Sequence, residues 1–289
     1  MEKRGLLHAF GELDVLPYYA KVASALLDFL KDKKIASKVH LPNLFFLKRG
    51  SKEKPLYIDD FSAVDENMLK LRKFHLKEIR DKLNEKQQLI WEYFPPRKLS
   101  QFFYATNDEG VGKPIDRIFI DIDRRKNTSE DTRIVADALV DAINADKEFN
   151  KLLSYKIIVL WTGSSFHVYL LLKNKINIDF YNKYLSYGEK KTESFIMKWA
   201  GEITRKTKIE TRAGHEKSDK FIVFDSSNTP SGKLARAPFS LHIKDYKNYD
   251  GICVPVSLTE LNKKNLTEKL KKLTLESVLK NIASYRKLL

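Results

Sequence analysis

A chain of 289 residues with 43% hydrophobic and 31% charged residues has an ordinary globular composition and enough apolar material for one large domain or two small ones. It has no apolar run near the roughly 20 residues that span a bilayer, its start MEKRGLLHAF lacks a signal peptide's apolar stretch, and Cys253 is its single cysteine. A membrane segment, an internal disulfide and a cysteine-rich zinc site are therefore not expected, and an intracellular, cytoplasmic location is. The net charge of +15, from 53 Lys and Arg against 38 Asp and Glu, favours a polyanionic partner, nucleic acid first; the alternative is a lysine-rich surface of the kind thermophile proteins show.

In chain order, residues 12–34 read as a helix, with Leu16-Pro17 at its start and Val22, Ala25, Leu26, Phe29 and Leu30 at helical spacing. Residues 39–48 read as extended chain ending in Phe45-Phe46-Leu47-Lys48-Arg49-Gly50, where Lys48 and Arg49 either reach a phosphate or stay solvated. A long helix is expected over 65–91, stopped by Pro95-Pro96. The segment Arg117-Ile-Phe-Ile-Asp-Ile-Asp123 follows with the period of a strand. It puts Ile118, Ile120 and Ile122 on one face and Phe119, Asp121 and Asp123 on the other. Carboxylates two residues apart on one strand face lie about 7 Å apart, a spacing at which they can share or bridge hard cations such as Mg²⁺ or Mn²⁺. The alternative is a strand running into a polar loop whose Arg124-Arg125-Lys126 neutralise the acids.

Thr128 and Asp131 form a capping box that opens an amphipathic helix through Ile143. Residues 155–161 and 166–172 read as two strands around the tight turn Thr162-Gly163-Ser164-Ser165, with His167 and Tyr169 on the face opposite Phe166, Val168 and Leu170. A histidine beside a Gly/Ser turn suits a ligand phosphate, although a lone histidine here is more often structural. A helix is expected over 189–206 and a strand over 220–224. The strand ends on Asp225, which is either a third carboxylate of the site or a turn-initiating residue. Arg236-Ala-Pro-Phe-Ser-Leu-His-Ile-Lys244 then brings three cationic or titratable side chains together, and 258–273 and 275–288 read as two lysine-rich helices.

Taken together, the ordered set Asp-x-Asp, Ser-x-His, strand-terminal Asp and Arg…Ser-x-His-x-Lys resembles the archaeo-eukaryotic primase superfamily. Its N-terminal Tyr18-Tyr19 and Phe45-Phe46-Leu47-Lys48, with Asp225-Ser-Ser-Asn228, are similar to the end-joining ligase polymerase branch. Thr162-Gly163 stands where replicative small subunits usually have Ser-Gly, and the histidine-bearing motif of end-joining polymerases is not visible in Gln101-Phe-Phe-Tyr-Ala-Thr-Asn107.

The resemblance implies an α/β (α+β) fold with a mixed-sheet, RNA-recognition-motif-like catalytic core flanked by helices. The catalytic domain would span 1–256, with an N-terminal region of helices and strands over residues 1–100 and a metal-site core over 101–256, and 257–289 would be a helical extension. It implies template-directed nucleotidyl transfer with Asp121, Asp123 and Asp225 holding two Mg²⁺ or Mn²⁺ ions and no structural zinc. Lys48, Thr162, Ser164, Ser165, His167, Arg236, Ser240, His242 and Lys244 would bind the nucleotide. The implied partners are a single-stranded or primer-template DNA and nucleoside triphosphates, with a large primase subunit, a helicase or a repair protein as further candidates. An end-joining gap-filling polymerase is the nearest alternative; a nucleic-acid-binding module with a degenerate site and a metal-dependent nuclease are alternatives of other classes.

Overall fold

A computed structural model of the protein describes residues 5–188, 194–215 and 219–289. Helix α1 (Leu16–Leu26) leads into a hairpin of β1 (Ile35–Leu41) and β2 (Leu44–Arg49). Three short helices follow, α2 (Glu66–Leu71), α3 (Leu76–Ile79) and α4 (Glu85–Tyr93), then β3 (Ser100–Ala105) and β4 (Ile115–Asp123). Helices α5 (Ser129–Ala145) and α6 (Lys147–Leu152) precede β5 (Tyr155–Trp161) and β6 (Phe166–Ile176), and α7 (Ile178–Tyr184) and α8 (Phe195–Thr207) precede β7 (Thr211–Ala213) and β8 (Ile222–Asp225). The chain continues through β9 (Leu234–Arg236), β10 (Leu241–Ile243), β11 (Tyr249–Ile252) and β12 (Val254–Val256), and closes with α9 (Leu266–Lys271), α10 (Leu275–Lys280) and α11 (Ile282–Arg286).

Three sheets result among the described residues: a six-stranded mixed sheet in the order β12-β5-β6-β4-β8-β7, a four-stranded sheet β2-β1-β3-β9, and the separate hairpin β10-β11. The six-stranded sheet places β4 between β6 and β8, both antiparallel to it. Ile118, Ile120 and Ile122 are fully buried on the face where α5 lies against β4 and β6 and packs along α8. On the opposite face Phe119 meets His167 and Tyr169, with ring centroids 4.8 and 5.0 Å away. The expected division of β4 into an isoleucine face and a carboxylate face thus holds, but the second face is also core up to Phe119. The Thr128 capping box is formed: the hydroxyl accepts from Asp131 N at 3.0 Å and the Asp131 carboxylate accepts from Thr128 N at 2.8 Å.

Several expected elements differ from those observed. The helix over 12–34 is regular only through Leu26. Its later apolar residues Phe29 and Leu30 are buried as the spacing requires, on a run of turns that ends with Asp32 at φ +58°. The single strand over 39–48 is a hairpin, turning at Pro42-Asn43 with Asn43 at φ +61°. The long helix over 65–91 is three short ones, because Asn84 exchanges capping hydrogen bonds with Gln87 and starts a new helix, and His75 is extended. The two C-terminal helices are α9, α10 and α11 with a 3₁₀ turn before them; Thr274 caps α10 and Asn281 interrupts the second span. The first five residues of the helix expected over 189–206 lie outside the described residues, and α8 forms the remainder. Leu261, Leu266, Leu270, Leu275 and Val278 belong to the same buried cluster as the sheets.

Candidate active site

Register alone gathers the three carboxylates. Asp121 pairs across β4 and β6 with His167 and across β4 and β8 with Asp225, so these three side chains occupy one row of one sheet face, with Asp123 two residues further along. The turn between β5 and β6 is fixed to this row. Ser165 donates its hydroxyl to the Ile122 carbonyl and its backbone N–H to Thr162 Oγ1 at 3.1 Å, and the fully buried Thr229 hydroxyl bonds both backbone groups of Phe119, at 2.9 and 3.0 Å. The aspartates therefore sit on backbone held from both sides.

Burial and the neighbouring Asp123 and Asp225 charges, opposed by Arg236 and Arg125, raise the Asp121 carboxyl to about 7. Burial, with Arg236 and His242 nearby, holds His167 well below the ordinary histidine range, so the ring is neutral. Its Nε2 lies 3.4 Å from Asp121 Oδ1, and its buried Nδ1 has no partner among the described residues. Arg236 donates from Nη1 to the Thr162 carbonyl at 2.8 Å and lies over Phe103, and its buried Nε is likewise without a partner among the described residues. A neutral histidine and an arginine, each with a buried nitrogen unsatisfied, border a carboxylate raised by burial and like charge, and an anionic ligand with cations would relieve all three.

As they stand, no three His, Cys, Asp or Glu side chains among the described residues converge closely enough to hold an ion. Asp123 is turned to Arg125, accepting from its backbone N–H at 3.1 Å and its guanidinium at 3.1 Å; Asp225 accepts from the Tyr187 hydroxyl and from Ser227 N, both at 2.8 Å. The donors nevertheless fit a hard divalent cation. All are carboxylate oxygens on one face, and the charge they accumulate is what a cation would neutralise.

The remaining expected nucleotide-binding residues divide. Ser164 Oγ is 3.4 Å from His242 Nε2, and Lys244 pairs with Asp250 at 2.6 Å, so His242, Lys244 and the turn adjoin. Ser240 is fully buried, its hydroxyl accepting from Phe102 N at 2.9 Å, so it ties the chain to β3 and does not border the carboxylates. Lys48 is not brought to the group either. It pairs with Ser37 across β1 and β2, on the face covered by α4, and its ammonium meets Glu92 at 3.2 Å. The face that carries Arg236 carries Lys38 instead, since Lys38 lies opposite Gln101 and Leu47 and sits 3.8 Å over the Phe45 ring. Sequence reasoning misses Lys38, Tyr187 and Asp250. The two-residue period of 35–41 carries a signal for Lys38, whereas Tyr187 and Asp250 reach the site only through tertiary contacts.

No protein-family model matches the chain, and no curated protein sequence matches it. A solved structure does. The polymerase domain of Mycobacterium tuberculosis Ligase D, in complex with DNA, superposes with a TM-score of 0.58 at 16% sequence identity, covering 96% of this chain and 91% of that one. The two chains share one fold. The likeness covers nearly the whole of this chain, both large sheets included, and bears out the expected α/β (α+β) architecture. Among the described residues, no helix is long and apolar enough to cross a membrane.

Proposed function

We propose that this chain is a template-directed nucleotidyltransferase of the primase-polymerase type, acting on DNA with nucleoside triphosphates. The observation that carries the reading is the row Asp225, Asp121, His167 on one face of the six-stranded sheet, with Asp123 beside it and the Asp121 carboxyl raised by burial and by its acidic neighbours. Asp121, Asp123 and Asp225 would hold two divalent ions; when bound, such ions lower the pKa of a 3′-hydroxyl and offset charge on the departing pyrophosphate. Arg236, anchored on the Thr162 carbonyl, supplies a fixed positive charge beside Asp121, which favours a phosphate oxygen there at no cost of reorganisation. His167 presents a neutral ring that accepts or donates one hydrogen bond, and Ser165 keeps the turn in register with the aspartates. The surplus of Lys and Arg supports a nucleic-acid substrate.

Incubation with a primer-template, labelled nucleotides and Mn²⁺ tests the proposal against its alternatives. Primer lengthening directed by the template supports it, shortening indicates a nuclease, and tight binding with no product indicates a binding module.

A further inference from the structure

Hairpin β10-β11 belongs to neither large sheet, yet it is locked to the 162–165 turn. Gly163 lies at φ +104°, and a Cβ there would stand 2.6 Å from the Cβ of His242; a Cβ on Gly251 would stand 2.6 Å from the Cα of Gly163. Two glycines from distant stretches of the chain thus meet where neither could carry a side chain. Their approach sets Ser164 Oγ 3.4 Å from His242 Nε2, while His242 Nδ1 lies 2.5 Å from Asp250 Oδ1 and the other Asp250 oxygen lies 2.6 Å from Lys244 Nζ. One carboxylate therefore holds both of the hairpin's candidate phosphate ligands.

The chemistry of this cluster is specific. An ionised carboxylate only accepts, so Nδ1 of His242 carries the proton, and the neutral ring leaves Nε2 as a lone pair that accepts from Ser164. The charged or titratable groups facing His242 are Arg236 from β9, His167 from β6, and Asp250 and Lys244 from the hairpin. Burial, then Arg236, holds His242 below the ordinary histidine range in spite of Asp250. A bare Nε2 repels a phosphate oxygen, so the ring must take up a proton before it can bind one.

We propose that Asp250 is a positioning residue which makes polyphosphate binding at His242 proton-coupled, so that a nucleoside triphosphate is gripped by its phosphate end with uptake of one proton at Nε2. Asp250 fixes the tautomer and then stabilises the imidazolium between Arg236 and Lys244. The proton comes from solvent, bridges Nε2 and a phosphate oxygen while the ligand is bound, and returns to solvent on release; no covalent bond changes. The inference rests on the nucleotide reading above and names which end of the ligand the hairpin takes.

Calorimetric titration of the full chain with the α,β-methylene analogue of ATP, near neutral pH in buffers of low and high ionisation enthalpy and with Mg²⁺ saturating in both cell and syringe so that Asp121 is ionised before the ligand arrives, tests it. The expected result is a buffer-dependent heat equivalent to about one proton taken up, with affinity falling about tenfold per pH unit above neutrality. Asp250→Asn, with folding checked by its melting curve, is expected to lose the proton uptake and weaken binding about tenfold. His242→Arg, permanently charged, is expected to bind with no proton uptake and no pH dependence, and it decides the matter if Asp250→Asn fails to fold. Equal heats in both buffers, or wild-type affinity and proton uptake in Asp250→Asn, would overturn the role of Asp250 and leave the nucleotide reading standing. Absence of any binding by folded wild-type protein would remove both.

Discussion

In the six-stranded sheet, the apolar residues of β4, β5 and β6 next to the carboxylate row are buried, whereas β2 at the edge of the four-stranded sheet leaves Leu44, Phe45, Phe46 and Leu47 at 57, 52, 38 and 42% exposure. The first sheet is a platform: the candidate site sits on paired strands whose neighbours fix the side-chain directions. The second is an open ribbon, covered by helices on one face, with Lys38, Phe45 and Arg236 on the other. The difference teaches where each task belongs. A metal and phosphate site needs carboxylates held to within fractions of an ångström, while a long polyanion is served by an exposed edge bearing apolar side chains and cations.

The largest expected effect separates the two regions most sharply. Asp225→Asn on the platform is expected to lower nucleotide incorporation at least about a thousandfold while leaving melting temperature and DNA affinity near wild type. Single-turnover extension together with a DNA titration reads both quantities; a mild defect would return Asp225 to the status of a turn residue.

Next comes a change in the helices beneath the ribbon. Arg72 is 2% exposed, bonds both Asp14 oxygens and the Phe94 carbonyl, and lies over Trp91. Arg72→Met strands the Asp14 carboxylate and is expected to destabilise the fold by about 3–5 kcal/mol, read by denaturant unfolding. Loss of less than about 1 kcal/mol would mean that this region does not depend on the buried pair.

A smaller effect is expected from Thr229→Val, which keeps the shape but unpairs both backbone groups of Phe119, at a cost of about 1–3 kcal/mol with nucleotide affinity reduced through the shifted aspartates. Smallest of all, Lys48→Ala is expected to leave nucleotide KM unchanged, because its ammonium faces Glu92, whereas Lys38→Ala is expected to weaken DNA binding and reduce its salt dependence by about one unit of log-log slope. Equal effects of the two lysines would erase the distinction between the faces of the ribbon.

The same contrast explains what is legible in the sequence. On the platform, alternation in Ile118 to Asp123 and in Phe166 to Leu170 determines the faces locally, and the strand over 155–161 has the bounds expected of it because β-branched and apolar side chains run up to a glycine turn. Under the ribbon, one boundary depends on a tertiary partner, Arg72 bonding Asp14, whereas the capping box between Asn84 and Gln87 and the left-handed Asn43 are local breaks inside stretches whose apolar spacing looks continuous. Asp121, Asp123, Asp225 and His167 are therefore legible as a group, and register brings Asp121, Asp225 and His167 into one row with Asp123 beside it. Lys48 and Ser240 fall away from the expected group because side-chain direction on β2, and the burial of the segment crossing β3, are set by neighbours far along the chain.

The most direct test of the central claim is extension of a labelled primer-template by wild-type protein and by Asp121→Ala, with Mn²⁺ and single nucleotides offered in turn. The expected result is addition of the template-complementary nucleotide by the wild type and none by the variant, with equal DNA binding and equal melting temperature. Near-normal extension by folded Asp121→Ala, or no addition by the wild type under any nucleotide, would contradict it.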